Sequence, residues 1–411
     1  MLSKEQNELL TKVGPGTPMG AALRQFWAPA IRSANLEVDC APTRVRLFGQ
    51  DFVAFRDSNG RVGFLDEGCP HRGVSLALGR NEDCGLRCIF HGWKINVDGQ
   101  VVEVPSEPAG SNLASKIKVN HYPVREEGGI VWVWLGKGAE PPQFPAFGFM
   151  NQPLENVVPR KAIVHCNWVQ LVEGLLDSSH VTSLHKTWLP TGKDVLSGPN
   201  AGMMGAMAPV YEIEERPYGY MANAQRRLAD GTQVNRKTEY VLPFFCLIPS
   251  TLRTLFGVAM VVPVDDETTF FWDLSWSTEG PIDASTIDKL RNAGTMGLDP
   301  DNTYEPCFGA DKVWGQDREL MKQGFYSGFQ ALPIEDFVVQ ESQGIFADRS
   351  KEHLGASDIA IIRMRRLLLD MAKTYQETSS LPIHQQNIDY AKIRPVHEVL
   401  SATGQQIEIY V

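Results

Sequence analysis

The chain has no long apolar run, no basic run and little cysteine. Its apolar stretches are short, such as Ile130 to Leu135, against the ~20 residues a membrane helix requires. Met1 to Leu10 carries Lys4, Glu5 and Glu8 where an export signal needs an apolar centre. The expectation is a soluble, cytoplasmic protein. Thirty-nine Lys and Arg against 49 Asp and Glu leave a net charge of −10, so neither nucleic acid nor anionic membrane is expected as a partner. Seven cysteines (Cys40, Cys69, Cys84, Cys88, Cys166, Cys246, Cys307) are few and odd in number for 411 residues, which argues against a disulfide scaffold and for a reducing compartment. A strand–GxGxxG–helix unit is also missing. Gly14-Pro15-Gly16 has the wrong spacing and no strand before it, so NAD(P)H is not bound by this chain.

What remains is an ordinary globular composition, 43% hydrophobic and 21% charged, in a length that suits two or three domains of about 150 residues. From Phe26 to Leu135 short β-like runs alternate with turn chemistry. Arg44 to Arg56 ends in Asp57-Ser58-Asn59-Gly60 and resumes at Arg61 to Leu65, the pattern of a hairpin. Pro141, Pro142, Pro145 and Pro153 mark a boundary. Beyond it Val169 to His180 has helical spacing, and Ala208 to Tyr220 shows no clean alternation. Gln233 to Cys246, Thr254 to Val264 and Thr268 to Trp276 read as strands of an antiparallel sheet. Ser357 caps a helix running to about Lys373, with Ile361, Met364, Leu368 and Met371 as its apolar stripe. The expected fold is α+β, a small all-β domain over 20–140 and a larger domain over 141–411, with residues 1–19 packed on the larger one. In that larger domain a twisted antiparallel sheet clasps the long C-terminal helix.

Two constellations carry chemistry. Cys69-Pro70-His71-Arg72-Gly73 and Cys88-Ile89-Phe90-His91-Gly92-Trp93 each bring a thiolate and an imidazole from one tight loop. A [2Fe-2S] centre with two Cys on one iron and two His on the other needs this supply, and its neutral imidazoles raise the reduction potential. A structural zinc is the alternative, although zinc fingers pair Cys with Cys and His with His. The second constellation lies in NWVQLVEGLLDSSHVTSLH, from Asn167 to His185. On a helix Glu173, Asp177 and His180 share a stripe. His185 falls roughly 140° from His180, so the helix must loosen or end between the two. Val181, Thr182 and Ser183 are weak helix formers. Two His and a carboxylate on one face of Fe(II) leave positions open for O₂ and substrate.

The first pattern resembles the Rieske motif. Respiratory Rieske proteins join the two loops by a disulfide, but here Val74 and Phe90 stand at those positions. The chain is therefore similar to the oxygenase and ferredoxin branch. D-x-x-H-x-x-x-x-H, spanning Asp177, His180 and His185, resembles the mononuclear iron motif of Rieske oxygenases, with EDFVVQESQG and DRSKEHLGASDIAIIRMRRLLL closest to the phthalate and phenoxybenzoate dioxygenase group. That resemblance implies a helix-grip (START-like) catalytic domain and Asp336 as the third iron ligand. Glu335 is its nearest competitor, ahead of Glu341 and Asp348. It implies Asp177 as a bridge carrying electrons to His180 from the neighbouring subunit's Rieske histidine matching His91, hence a ring, a homotrimer or a multiple of one. Asn167 is expected near the iron. Electrons are expected from a separate NAD(P)H-linked reductase or ferredoxin.

The implied activity is O₂-dependent ring hydroxylation or O- or N-dealkylation of a small aromatic. Phthalate-type members hold carboxylates with arginines in the catalytic sheet. Here Ala201 to Ala208 (AGMMGAMA) is apolar and Tyr240 to Ile248 (YVLPFFCLI) lacks Arg. Because a buried carboxylate without a cation is costly, Met203, Met204, Met207, Phe244 and Phe245 are expected to line a pocket for a bulkier, less charged aromatic. Two other classes compete. One is a Rieske electron-transfer protein whose second domain only binds a ligand, and the other is an apolar-ligand-binding protein with a structural zinc.

Overall fold

The computed structural model describes residues 1–138, 140–189, 201–249, 255–286 and 309–407. Cys307, and the residue Thr254 that opens one expected strand, lie outside them. After helices α1 (Lys4–Thr11) and α2 (Pro18–Leu23), ten short strands form the first half of the chain. β1 (Trp27–Arg32), β9 (Val124–Glu127) and β10 (Ile130–Trp134) make one antiparallel sheet in the order β1-β10-β9. β2 (Thr43–Leu47), β3 (Gln50–Arg56) and β4 (Val62–Asp66) make a second. β5 (Arg80–Glu82), β6 (Gly85–Arg87), β7 (Lys94–Ile95) and β8 (Val101–Glu103) make a third.

Arg44 to Arg56 is not one strand, because Phe48 and Gly49 both take positive φ (49° and 73°) and turn the chain inside it, as a two-residue hairpin demands. A second turn follows, where the Asp57 carboxylate accepts the backbone N–H groups of Asn59 and Arg61 at 3.0 and 2.9 Å. Successive side chains of β3 point to opposite faces. Phe52 and Ala54 join the large core, while Val53 and Phe55 join a smaller one with Leu65, Leu86, Trp93, Ile95, Cys69 and Cys88. One strand thus serves two cores.

In the second half an eight-stranded antiparallel sheet runs β11-β17-β16-β15-β14-β13-β12 with β18 against β14. These strands are β11 (Val157–Val164), β12 (Val210–Arg216), β13 (Gly219–Arg227), β14 (Gln233–Val241), β15 (Phe245–Leu247), β16 (Phe256–Pro263), β17 (Thr269–Trp276) and β18 (Val396–Leu400). The stretch without visible alternation is β12 and the start of β13. β12 buries neither face fully, so no apolar rhythm was needed there. The run Gln233 to Cys246 breaks at Leu242 to Phe244 into β14 and β15. Helices α3 (Trp168–Leu176), α4 (Arg318–Lys322), α5 (Leu332–Ser342) and α6 (Ile359–Thr378) complete the described helical part.

Ile361, Met364, Leu368 and Met371 form the buried stripe of α6, and α1 and α2 pack against that helix. Its start differs from expectation. A 3₁₀ turn over Ala356–Asp358 precedes it, the Asp358 carboxylate accepts the Gly355 N–H at 2.7 Å, and the helix continues to Thr378. Ser357 therefore lies inside the 3₁₀ turn and does not cap the helix. Among the described residues no helix is long and apolar enough to cross a membrane.

Candidate metal centres

The Cys69 and Cys88 loops are built alike. In each the cysteine N–H donates forward, Cys69 to Val74 O and Cys88 to Trp93 O, both at 2.8 Å. A glycine N–H then donates back, Gly73 to Cys69 O (2.8 Å) and Gly92 to Cys88 O (2.9 Å). Both glycines take positive φ, 74° and 75°, which a side chain would strain. Cys69 and Cys88 are buried, and burial together with the neighbouring Cys88 pushes the Cys69 thiol up to about 11. His71 and His91 sit outside them with ring centroids 4.5 Å apart, and His71 stacks on Trp93 at 4.6 Å.

Thiols thus pair with each other, and imidazoles with each other. Among the described residues only His180, His185 and Asp336 bring three ligand atoms within 4.8 Å of one another. The Cys and His loops do not. That spacing suits two bridged irons, with sulfur donors on one and nitrogen donors on the other, better than a single tetrahedral zinc.

The second centre forms where α3 stops. The helix ends at Leu176 with Asp177 as its extended cap, and a 3₁₀ turn over His180–Thr182 follows. The break expected between the two histidines falls earlier, so Glu173 does not share a helical stripe with Asp177 and His180. Instead Glu173 is buried between Arg349 (2.8 and 2.9 Å) and Arg365 (2.6 Å). Both histidines turn Nε2 toward Asp336 Oδ1, His180 at 3.4 Å and His185 at 3.1 Å. Their rings are 5.1 Å apart.

Each Nδ1 has its own carboxylate, Asp177 at 3.4 Å for His180 and Glu335 at 2.6 Å for His185. Glu335 is fully buried and also accepts hydrogen bonds from Trp188 Nε1 (3.1 Å) and the Ser327 hydroxyl. Glu335 therefore stands behind His185, on the side away from Asp336. Burial pulls the His180 imidazole down, but hydrogen bonds to Asp177 and Asp336 outweigh it and carry the group to about 10. Burial pushes the Asp336 carboxyl up, and the two imidazoles outweigh that and hold it well below the usual range. Two imidazoles ringed by three carboxylates form a pocket whose excess negative charge suits a dication.

Asp177 and His180 are held from the sheet. Between them Ser178 donates its N–H to Tyr211 Oη on β12 (2.7 Å), and its carbonyl accepts Arg226 Nη2 on β13 (2.6 Å). The sequence carries no signal for either, since β12 has no apolar rhythm and an arginine on a strand reads as solvent-facing. Asn167 does not line the cavity beside His180, His185 and Asp336. It caps α3, accepting Val169 N–H at 3.2 Å, and donates to Thr11 O and Asp266 O at 2.9 and 2.8 Å. The expectation for Asn167 is corrected to a buried cap.

A cavity of about 270 Å³ lies between the sheet and the layer carrying Asp177, His180, His185 and Asp336. Its sheet wall includes Arg160, Asp273, Ser275, Gly257, Ala259, Thr238 and Arg236. None of Met203, Met204, Met207, Phe244 and Phe245 is among its lining residues. Phe244 and Phe245 instead pack in the large core, Phe245 against Phe147 at 5.1 Å. Met203 is buried, and Met207 is half exposed outside the cavity. The uncharged pocket is thus corrected: two buried arginines line it, Arg236 on β14 just before Tyr240–Ile248 and Arg160 on the distant strand β11. Burial together with the nearby Arg226 guanidinium pulls Arg236 down to about 10.

A sulfur-and-imidazole centre for electrons, and a second centre of two His and one carboxylate facing a cavity, define a metal-dependent redox enzyme. Residues 26–123 match the Rieske [2Fe-2S] domain and residues 133–405 the LigXa C-terminal domain like family. The chain is 39% identical over 389 residues to the phthalate 4,5-dioxygenase oxygenase subunit of Pseudomonas putida, covering 92% of this chain and 88% of that one. It is 32% identical to the 3-chlorobenzoate-3,4-dioxygenase oxygenase subunit of Comamonas testosteroni, covering 93% and 91%. Its fold is similar to that of dicamba monooxygenase, with a TM-score of 0.62 at 19% identity, covering 86% of this chain and 99% of that one. The chain belongs to the Rieske non-haem iron oxygenase family, as the oxygenase component.

Proposed function

We propose that this oxygenase oxidises a small aromatic carboxylic acid. Cys69, Cys88, His71 and His91 hold the [2Fe-2S] cluster, and His180, His185 and Asp336 hold ferrous iron. Residues 20–140 serve the cluster and 141–411 catalysis. When bound, the cluster supplies electrons singly and the iron supplies the site of O₂ activation. The protein's part is to bind, orient and exclude water. Asp177 and Glu335 each accept Nδ1–H of one histidine, which fixes the tautomer and aims Nε2 at the metal position. Phe271, Leu175, Val181 and Phe337 line the cavity with apolar surface, as a ring requires. The Arg236 guanidinium, buried at its wall, complements a carboxylate.

That buried arginine is the observation that carries the substrate class. Two relatives named above act, by name, on phthalate and on 3-chlorobenzoate, both aromatic carboxylates. Electrons come from a separate reductase or ferredoxin, since the chain has no dinucleotide unit. Asp177 lies beside His180 and is half-buried, as a bridge to His91 of the partner subunit in a trimeric ring would need to be. A cytoplasmic location suits six unpaired cysteines among the described residues. The test is a product screen. Chemically reduced, iron-loaded protein is mixed with O₂ and a panel of aromatic acids and their neutral amides, and ring hydroxylation is followed against aldehyde release. Oxidation of acids but not of their amides is expected. Equal oxidation of both would overturn the carboxylate reading.

A further inference from the structure

The cavity has a second polar end. Arg160 on β11 and Asp273 on β17 are direct cross-strand partners and form an ion pair, with the Ser275 hydroxyl 3.5 Å from Arg160 Nη2. All three line the cavity. Arg236 and Thr238, on β14, lie across β16 and β15 from Asp273 and Ser275, three strand spacings or about 14 Å of backbone. Between the two ends β16 presents Gly257 and Ala259, paired with Ser275 and Asp273. A Cβ at Gly257 would meet only the Leu274 carbonyl at 3.7 Å. The middle of the wall is therefore bare, and each end is charged.

A buried ion pair is seldom the cheapest way to fill a sheet face, since apolar residues of similar volume serve stability as well or better. The two partners are also unequally covered. The Arg160 side chain is 6% exposed and that of Asp273 25%, so the carboxylate is the member that fronts the cavity, with the guanidinium behind it. Arg160 engages Oδ2, and an ionised carboxylate has about four acceptor sites. Its remaining capacity accepts a donor and repels an anion.

We propose that Asp273, backed by Arg160, is a specificity subsite that reads a hydrogen-bond donor, a hydroxyl or amino group, on the edge of the aromatic ring remote from its carboxylate. This rests on the reading of Arg236 as the carboxylate contact. The site then accepts hydroxy- or amino-substituted aromatic acids and disfavours acids whose far edge carries a second carboxylate. The ring spans the bare Gly257–Ala259 floor between them.

The test measures anaerobic binding of benzoate, 4-hydroxybenzoate and terephthalate to the iron-loaded enzyme by calorimetry, in the wild type and in an Arg160→Met/Asp273→Leu double variant. The double variant removes both charges together, so no lone charge is left buried. Wild type is expected to prefer 4-hydroxybenzoate over benzoate by at least about tenfold and to bind terephthalate weakest. The double variant should lose the hydroxyl preference, keep benzoate binding and admit terephthalate. An Asp273→Asn variant, which keeps the shape, should relax the discrimination against terephthalate. Benzoate bound by both proteins with unchanged hydroxyl preference would overturn the subsite alone and leave the ion pair as a plain cross-strand contact. No binding of any acid, or acid binding unchanged in Arg236→Gln, would overturn the carboxylate reading and the subsite with it.

Discussion

In the Rieske loops the Cys and His side chains are placed by local structure. Two five-residue turns, closed by Gly73 and Gly92 N–H groups, set the two cysteines, and His71 rests on Trp93. In the catalytic half His180 and His185 are held by side chains, most of them from afar. Glu335, 150 residues from His185 in sequence, fixes one ring, and Asp177 fixes the other. Tyr211 and Arg226 pin the peptide between Asp177 and His180. The first arrangement is local and stands at the surface, with Ile89 and Phe90 more than half exposed. The second is gathered from α3, α5, β12 and β13, with His185 and Glu335 buried and His180, Asp177 and Asp336 half-buried. A rigid local loop suits a centre that must meet an external electron donor, because its geometry does not depend on the rest of the domain. A gathered site can be reshaped from the cavity side, because its ligands share partners with the sheet.

The sharpest break between the two comes from His185→Ala. The catalytic half should lose about one iron per chain while the Rieske loops keep theirs. Iron analysis with the reduced-cluster spectrum checks this, and product formation should fall to background. If the variant oxidised substrate normally, the second centre would not be where the chemistry occurs. The alternative of an electron carrier with a ligand-binding domain would gain from that result.

A second break lies at Glu173, which ties α3 to Arg349 and Arg365 deep in the catalytic half and has no counterpart in the Rieske loops. Removing its charge leaves the buried Arg349 without a carboxylate, while Arg365 keeps Glu352, a loss of about 3–5 kcal/mol by analogy with other buried pairs. Burial pushes this carboxyl up, but the two arginines outweigh that and hold it below its ordinary value. Its contribution is thus complete above about pH 4.3 and is lost as the pH falls through the folded value. Urea midpoints should fall in wild type below that pH. In Glu173→Gln they should start lower and depend less on pH over the same window. Parallel pH profiles would contradict the assignment.

These two regions also explain what was legible in the sequence. The Cys and His pairs of the Rieske segment are local, so C-x-H and C-x-x-H were readable as spacing. His180 and His185 were readable for the same reason. Asp336 needed the family resemblance, because nothing in the neighbourhood of Pro333 points to a metal in another part of the chain. The α6 stripe and the strands β16 and β17 were visible because they bury apolar residues at a regular period. β12 was not, since both of its faces are partly wet. The pocket was misplaced because apolar richness in Ala201–Ala208 and Tyr240–Ile248 marks core as readily as cavity. The residues that do line the cavity, Arg160, Asp273 and Arg236, sit in strands where charged residues look like solvent-facing positions. Which face of β11, β14 or β17 turns inward is a tertiary fact.

Glu335→Gln sharpens the comparison with a smaller effect. Gln can still accept the Nδ1–H of His185 but no longer adds negative charge behind the ring. Iron(II) affinity should fall about 10–100-fold, read by anaerobic titration with a chelator competitor, and the Rieske cluster should keep its absorption and potential. A Ser327→Ala change, which removes one donor to Glu335, should have the same sign and a lesser size. Equal affinity in wild type and Glu335→Gln would mean that packing alone orients His185.

The smallest effect is expected at Tyr211→Phe. The ring stays and only the hydroxyl that accepts the Ser178 N–H is lost, leaving a buried donor whose desolvation costs about 1–3 kcal/mol. Arg226 still holds the Ser178 carbonyl, so the turn should loosen without unfolding. Asp177 and His180 sit on either side of that peptide, and the looser turn should spread the distance between them. The rate at which a pre-reduced cluster delivers its electron in a single turnover should therefore fall several-fold, while equilibrium iron content stays near that of wild type. A merely structural tyrosine would lower the unfolding midpoint and leave that rate unchanged. A variant in the Rieske half, such as Ser106→Ala, which removes the acceptor of Trp93 Nε1 (3.2 Å), offers the matched control. If electron delivery responds to Tyr211 and not to Ser106, the gathered centre is the one whose geometry the fold can tune.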